Sequence, residues 1–279
     1  MNTTPFILMS KVRARKRFGQ HFLHNSSVVA RIISCAELVE NERVLEVGPG
    51  QGVLTQLMLD KKVSLTAVEI DRDLSDLLIK KFPDNPQFEL LTMDILKMDW
   101  NQELFSQTES WKIITNLPYN ISSPFLLKVI RHRQFINKVV ILLQKEFAER
   151  LAADFGNCSR KIYGSLSVIF ALFFDCEVVL DVPSHDFTPP PAVDSQVLRL
   201  TPKKDRLDNK HTDAILTFVH EAFRHKRKYF IKFLSHYCDS RGINPAKLNG
   251  LETFHHLRAD HISPTDYKFI FDHIHEIHD

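Results

Sequence analysis

The sequence predicts an α/β fold: a largely parallel sheet with one antiparallel edge, followed by a small all-helical region. Three observations carry this expectation. Short apolar runs alternate with helix-like stretches from residue 43 to residue 153. Two later strand-like runs, residues 176–182 and 196–200, are joined by a proline-rich loop with no room for a crossover helix. Residues 201–209 are polar and charged, and beyond them only helical periodicity remains. A chain of 279 residues suits a main domain plus a small one, so the boundary is placed between residues 1–203 and 204–279.

Taken in order, residues 43–47 read as a buried strand and residues 53–59 as a helix. Residues 65–70 and 74–81 repeat the pattern, and residues 88–92 give a third strand. Residues 112–115 form a fourth strand, followed by a helix over 123–131. Residues 138–143 form a fifth, followed by a helix through Ala153. Strands alternating with helices imply right-handed crossovers and a parallel sheet. Ligands of such sheets bind beyond the carboxyl ends of the strands.

The strand ends carry the chemistry. Glu46-Val47-Gly48-Pro49-Gly50-Gln51-Gly52 follows the first strand and precedes a helix. Gly48 and Gly50 let the backbone turn sharply and approach a ligand. Glu69 ends the next strand, 21 residues after Gly48, where an acid accepts from both ribose hydroxyls of a nucleoside cofactor. Asp94 follows the third strand, where a carboxylate accepts from an adenine amine. Any one of these acids alone reads as a helix cap or solvated loop; three ordered strand ends do not. A nicotinamide dehydrogenase shares the first two features, but its loop reads G-x-G-x-x-G. Here Val53 stands at that final glycine, which suits a cofactor without phosphate.

Asn116-Leu117-Pro118-Tyr119 ends the fourth strand. An adenine amine is a poor nucleophile because its lone pair is delocalised into the ring. The Asn116 side-chain oxygen and a backbone carbonyl fixed by Pro118 would accept its two N–H bonds and draw the nitrogen toward tetrahedral geometry. Tyr119 offers a face on which the purine stacks. Methyl transfer then depends mainly on proximity and orientation.

These motifs resemble those of the ribosomal RNA adenine dimethyltransferase family. The resemblance begins with Lys16-Arg17-Phe18-Gly19-Gln20-His21-Phe22-Leu23. It runs through the Gly48 loop, Glu69, Asp94 and residues 116–122, then residues 143–146 and the Phe187-Thr188-Pro189-Pro190-Pro191-Ala192-Val193-Asp194-Ser195 segment. It implies a Rossmann-like class I methyltransferase sheet and S-adenosyl-L-methionine as cofactor. It implies that His21 and Leu23 close over that cofactor, with Gly48, Glu69, Asp94 and Asn116 lining it. Position 21 is usually Asn in the family. Phe187 is expected to sandwich a flipped base against Tyr119. The expected product is N6-dimethyladenosine at two adjacent adenosines near the 3′ end of 16S RNA, formed during ribosome biogenesis. The competing expectations are a non-catalytic assembly factor, a resistance-type enzyme acting on large-subunit RNA and a DNA adenine methyltransferase. The intact Asn116–Tyr119 motif, the residue 188–195 run and the lack of a target-recognition domain oppose them in turn.

Charge distribution points to an anionic polymer. The formal net charge is only +2, but residues 1–36 hold six Lys or Arg and no Asp or Glu. Lys11, Arg13, Arg15, Lys16 and Arg17 form a basic arm. Residues 215, 218, 219, 222 and 223 make an apolar helical stripe that would carry Lys226 onto its buried face if the helix continued. A break near residues 224–226 resolves the conflict and leaves Arg224, Lys226, Arg227 and Lys228 at a helix start, where the family has a similar Arg-rich turn. Arg224, Arg227 and Lys228 are expected to bind RNA. The family has Thr where this chain has Tyr229. The partner is expected to be 16S RNA in the immature small ribosomal subunit, met by a cytoplasmic monomer.

The four cysteines lie far apart with no C-x-x-C pair, so neither zinc nor disulfides are expected. His220, Glu221 and His225 are spaced one residue too far for a helical zinc-protease site, and no metal is expected. The longest apolar run, residues 166–174, is far shorter than a bilayer span.

Overall fold

The structure, a computed structural model, describes residues 19–105, 110–204 and 209–275. It opens with a two-residue strand, β1 (Phe22–Leu23), and helix α1 (Ser26–Ala36). There follow β2 (Arg43–Val47), α2 (Val53–Asp60), β3 (Ser64–Glu69), α3 (Arg72–Lys81), β4 (Phe88–Thr92) and the short α4 (Trp100–Glu103). The second half of the sheet is β5 (Trp111–Asn116), α5 (Ser122–Arg131), β6 (Ile136–Gln144), α6 (Lys145–Leu151), α7 (Ser165–Phe173) and β7 (Phe174–Val182). Then come β8 (Phe187–Thr188), β9 (Ser195–Pro202) and the C-terminal helices α8 (Asn209–Arg224), α9 (Phe230–Arg241) and α10 (Pro264–His275). Among the described residues no helix is long and apolar enough to cross a membrane.

The seven-stranded sheet runs β4-β3-β2-β5-β6-β9-β7. Strands β2 to β6 pair in parallel, and β9 pairs antiparallel with both β6 and β7. The expected sheet with its antiparallel edge is borne out. Chain order reverses between β2 and β5, which opens a crevice beyond their carboxyl ends. Alternate residues of each strand face opposite sides, as a two-residue side-chain period dictates. Leu45, Ile113, Val139 and Ile141 enter one apolar cluster. Val44, Ile114, Val140 and Leu142 enter the other. Both faces are covered, which is why these strands read as unbroken apolar runs rather than alternating ones.

The C-terminal helices continue the first cluster. Ile215, Phe218, Val219, Phe233, Tyr237 and Phe271 join the same buried group as Phe170 and Phe173 of α7. Phe218 is its aromatic hub, ringed by Phe230, Phe233, Tyr237, Tyr267 and Phe271. Two buried hydroxyls tie the connections down: Tyr163 donates to the Ile262 carbonyl at 2.9 Å and Tyr267 to that of Ala259 at 3.0 Å.

Sequence periodicity gives no sign of the small two-stranded sheet. Phe22 and Leu23 of β1 pair antiparallel with Thr188 and Phe187 of β8. The backbone N–H of His24 also donates to the Asp186 carbonyl, and Asn25 Nδ2 to the buried Asp186 carboxylate. The N-terminal segment and the proline-rich loop, far apart in sequence, are thereby held together.

Candidate active site

Each part of the crevice is set by a strand end. Thr115 and Val47 are register partners on β5 and β2, and the Thr115 hydroxyl donates to the Val47 carbonyl at 2.6 Å. Gly48 and Asn116, the next residues, therefore stand side by side. Gly48, Gly50 and Gly52 all have positive φ, of 68°, 57° and 72°. At Gly52 a Cβ would lie 2.8 Å from the Leu78 side chain and 3.0 Å from that of Phe82, so close packing against α3 demands glycine there as well as the turn. Lys81 reaches back from α3 and donates to the Gln51 and Gly52 carbonyls, each at 3.0 Å.

Glu69 is the anchor of the cleft. Its carboxylate is 4% exposed and accepts from the Asp71 N–H at 2.9 Å and the Gly50 N–H at 3.2 Å. Burial raises its pKa, and those backbone hydrogen bonds oppose the rise. Asp94 accepts from the Leu96 N–H at 2.9 Å, and Lys128 fastens the same loop through the Ile95, Leu96 and Met98 carbonyls. The remaining wall is apolar, with Ile70, Leu74, Met93 and Ile95 among its residues.

The Asn116 side chain is oriented by its neighbours. Its Nδ2 donates to the His21 carbonyl at 3.4 Å, which turns Oδ1 the other way as an acceptor. The Pro118 carbonyl accepts from the Ile121 N–H, leaving the Leu117 carbonyl without a backbone partner among the described residues. The Tyr119 hydroxyl is bonded to the buried Ser195 hydroxyl at 2.7 Å, and burial raises its pKa. The ring opposite Tyr119 is His21, stacked at 5.9 Å between centroids with an interplanar angle of 24°. The Pro189 carbonyl lies 2.7 Å from His21 Nδ1, and since a carbonyl only accepts, that nitrogen carries the proton.

Charge separates the possible cofactors. Among the described residues lining this cleft are two acids, Glu69 and Asp94, and no lysine or arginine. A sulfonium cofactor with two ribose hydroxyls and an adenine amine finds acceptors in these two carboxylates. S-adenosylmethionine therefore fits the residues present.

Comparison with known proteins agrees. Residues 11–253 match the model of the family described as ribosomal RNA adenine dimethylase. The chain belongs to the ribosomal RNA adenine dimethylase family. It is 36% identical to ribosomal RNA small subunit methyltransferase A of Acaryochloris marina, over 94% of this chain and 98% of that protein. It superposes on the crystal structure of a dimethyladenosine transferase from Plasmodium falciparum with a TM-score of 0.72, at 25% identity, covering 90% of this chain and 96% of that one. The 23S rRNA methyltransferase ErmE gives a TM-score of 0.67 at 26% identity, covering 91% of this chain and 99% of that one. The expected activity, S-adenosylmethionine-dependent dimethylation of adenine in ribosomal RNA, is borne out by this membership.

Within this dimethylase the crevice brings together most of the expected residues. His21, Leu23, Gly48, Gly50, Glu69, Asp94 and Asn116 to Tyr119 all line it. Phe187 departs from expectation. Its ring is 2% exposed and packed in the cluster with Leu23, Leu142 and Val182, because pairing of β8 with β1 turns it inward. It presents no free face to a base, and His21 faces Tyr119 instead. Lys11, Arg13, Arg15, Lys16 and Arg17 lie outside the described residues. The break falls where it was expected: Arg227 and Lys228 are exposed on the turn between α8 and α9, while the exposed Arg224 closes α8 rather than opening the next helix. Sequence reasoning missed Ser195, which orients Tyr119, and Ile70, which walls the cleft. A signal for Ile70 exists, an apolar residue directly after the strand-end acid; for Ser195 there is none without knowing that β9 runs beside β6.

Proposed function

We propose that this protein dimethylates N6 of two adjacent adenosines near the 3′ end of small-subunit ribosomal RNA, within the immature subunit. The observation that carries the reading is the Asn116 amide, turned by the His21 carbonyl at the end of β5 beside the Gly48 loop. When bound, S-adenosylmethionine supplies an electrophilic methyl group on sulfonium sulfur. Glu69 and Asp94 hold its ribose hydroxyls and adenine amine. Asn116 Oδ1 and the Leu117 carbonyl accept the two N–H bonds of the target amine, which frees its lone pair. Tyr119, fixed through Ser195, offers the face on which the target ring stacks. A base reaches this pocket only by leaving its own stack, and the aromatic contact offsets part of that cost.

Residues 1–203 form the catalytic part in this reading, and residues 204–279 grip the RNA through Arg224, Arg227 and Lys228. The protein acts as a monomer in the cytoplasm, where subunits mature. Identity of 35–41% to small-subunit enzymes favours that substrate over the large-subunit RNA named for ErmE. Incubation with labelled S-adenosylmethionine and immature small subunits, naked stem-loops or large subunits tests this. Label in dimethyladenosine of the small subunit alone is expected. Equal turnover on the naked hairpin, or label in large-subunit RNA, contradicts it.

A further inference from the structure

Tyr229 occupies the N-cap of α9, a position where Ser, Thr, Asp or Asn stabilises a helix, and its side chain makes no capping hydrogen bond. The first two helical N–H groups are satisfied from elsewhere. Phe230 N–H donates to the Leu257 carbonyl at 2.7 Å and Ile231 N–H to that of His255 at 3.3 Å. These bonds leave no open N–H pair for a phosphate and bring the segment around His256 and Arg258 against the turn. The Tyr229 ring is 52% exposed. Its one ring neighbour among the described residues is His256, at 6.0 Å and nearly perpendicular. Phe269, exposed to a similar degree, instead packs against both Phe254 and His273. The exposed Lys226, Arg227 and Lys228 directly precede Tyr229, and the exposed Arg258 follows Leu257, whose carbonyl holds the Phe230 N–H.

We propose that Tyr229 is a stacking subsite for one unpaired nucleobase of the RNA substrate, separate from the base that is methylated. The inference rests on the reading of this turn as an RNA interface and adds the chemical class bound there. Cationic side chains track a phosphate backbone without reading it, while an exposed ring among them takes the face of a base. A paired duplex buries its base faces, so the subsite selects single-stranded nucleotides flanking a helix. With the Phe230 and Ile231 N–H groups held by backbone carbonyls, a ring takes the N-cap position without leaving the start of α9 unsatisfied.

The test uses the full chain at low salt and two RNA probes. One is a hairpin with a single-stranded purine tail containing 2-aminopurine; the other is the same hairpin with its tail paired to a complement. Tyr229→Phe is expected to bind both probes as the unmodified protein does. Tyr229→Ala and Tyr229→Thr are expected to weaken binding of the tailed probe by about five- to a hundredfold and to abolish the 2-aminopurine quenching, with the paired probe unchanged. Because backbone carbonyls already hold the Phe230, Ile231 and Lys232 N–H groups, Tyr229→Thr is expected to leave Tm within about 2 °C while still losing the tailed probe, which separates stacking from folding. Unchanged affinity of Tyr229→Ala for the tailed probe overturns the subsite, as does equal loss on both probes. Failure of the interface reading has its own signature: joint neutralisation of Arg224, Arg227 and Lys228 that leaves both probes bound as before.

Discussion

In the cleft at the switch point, Glu69 is buried, bonded to two backbone N–H groups and fixed at the end of β3. At the junction of α8 and α9, Arg224 is exposed at the end of α8, and Arg227 and Lys228 are exposed on the five-residue connection that follows. In the proposed reading the first region binds by shape and by hydrogen bonds prepared before the ligand arrives, and the second binds by charge in open solvent. Geometry in a dry site makes each group expensive to lose. Exposed charges act additively, and salt screens them. The two regions should therefore fail differently when mutated.

The largest effect is expected at Asn116. Asn116→Ala removes the acceptor of the reacting amine, and losses on the order of a hundred- to a thousandfold in kcat accompany removal of one such preorganised group. Asn116→Asp is the sharper probe. After the first transfer the amine keeps one N–H, so a carboxylate there would be left a poorly satisfied buried charge, which is costly. The second transfer should slow more than the first, and monomethyladenosine should accumulate in mass spectra of digested RNA. A falling mono-to-di ratio would sink the role given to the amide, and a purely monomethyl product from the unmodified protein would sink dimethylation itself.

Next in size is Glu69→Ala. Loss of its hydrogen bonds to the ribose should weaken S-adenosylmethionine binding by about ten- to a hundredfold, or about 1.5–3 kcal/mol, with the fold retained. Calorimetry that finds unchanged affinity removes Glu69 as anchor. The exposed turn should behave otherwise. Neutralising Arg224, Arg227 and Lys228 together should weaken binding to immature subunits roughly tenfold and lower the slope of log affinity against log salt by about 2–3, leaving cofactor affinity alone. A change in cofactor affinity in that variant would dissolve the contrast between the regions.

A separate effect, on stability rather than on binding, lies beneath the glycine loop. Glu46 is fully buried, accepts from the Thr55 hydroxyl at 2.6 Å, and is pushed by burial from 4.5 up to about 8, with Glu69 adding to the rise. A carboxyl whose folded pKa is raised stabilises the fold fully below pH 4.5, and that contribution is lost as pH rises to about 8. The loss is at most about 1.4 kcal/mol per pH unit across that window. Glu46→Gln needs no proton to stay neutral, so its Tm should vary less between pH 5 and pH 8. Parallel slopes for the two proteins would show that Glu46 titrates elsewhere.

Much of this was legible along the chain. Buried strands read as apolar runs, the glycine loop as a turn with positive φ, and the conflict at Lys226 as a helix break, because each depends on neighbours within a few residues. The acids and Asn116 were legible as strand ends, since a parallel sheet aligns those ends on one edge. What escaped depends on pairings across the fold. Phe187 on a proline-rich loop looked accessible until β8 paired with β1 and turned its ring into the core. His21 could be set near the cofactor by resemblance, yet its stack on Tyr119 comes from a backbone carbonyl 168 residues away that fixes its ring. Ser195 reaches Tyr119 only because β9 inserts between β6 and β7.

By itself, then, the sequence determined the order of strands and helices, the residue types offered at the strand ends, and the class of chemistry they serve. Those follow from periodicity, turn preference and the chemistry of single side chains, which act locally. The tertiary structure alone decided which rings face one another, which carboxylate is dry enough to be driven up in pKa, and which aromatic stays exposed beside the basic turn. Each of these is set by contacts between segments distant in sequence, where packing rather than composition chooses the partner.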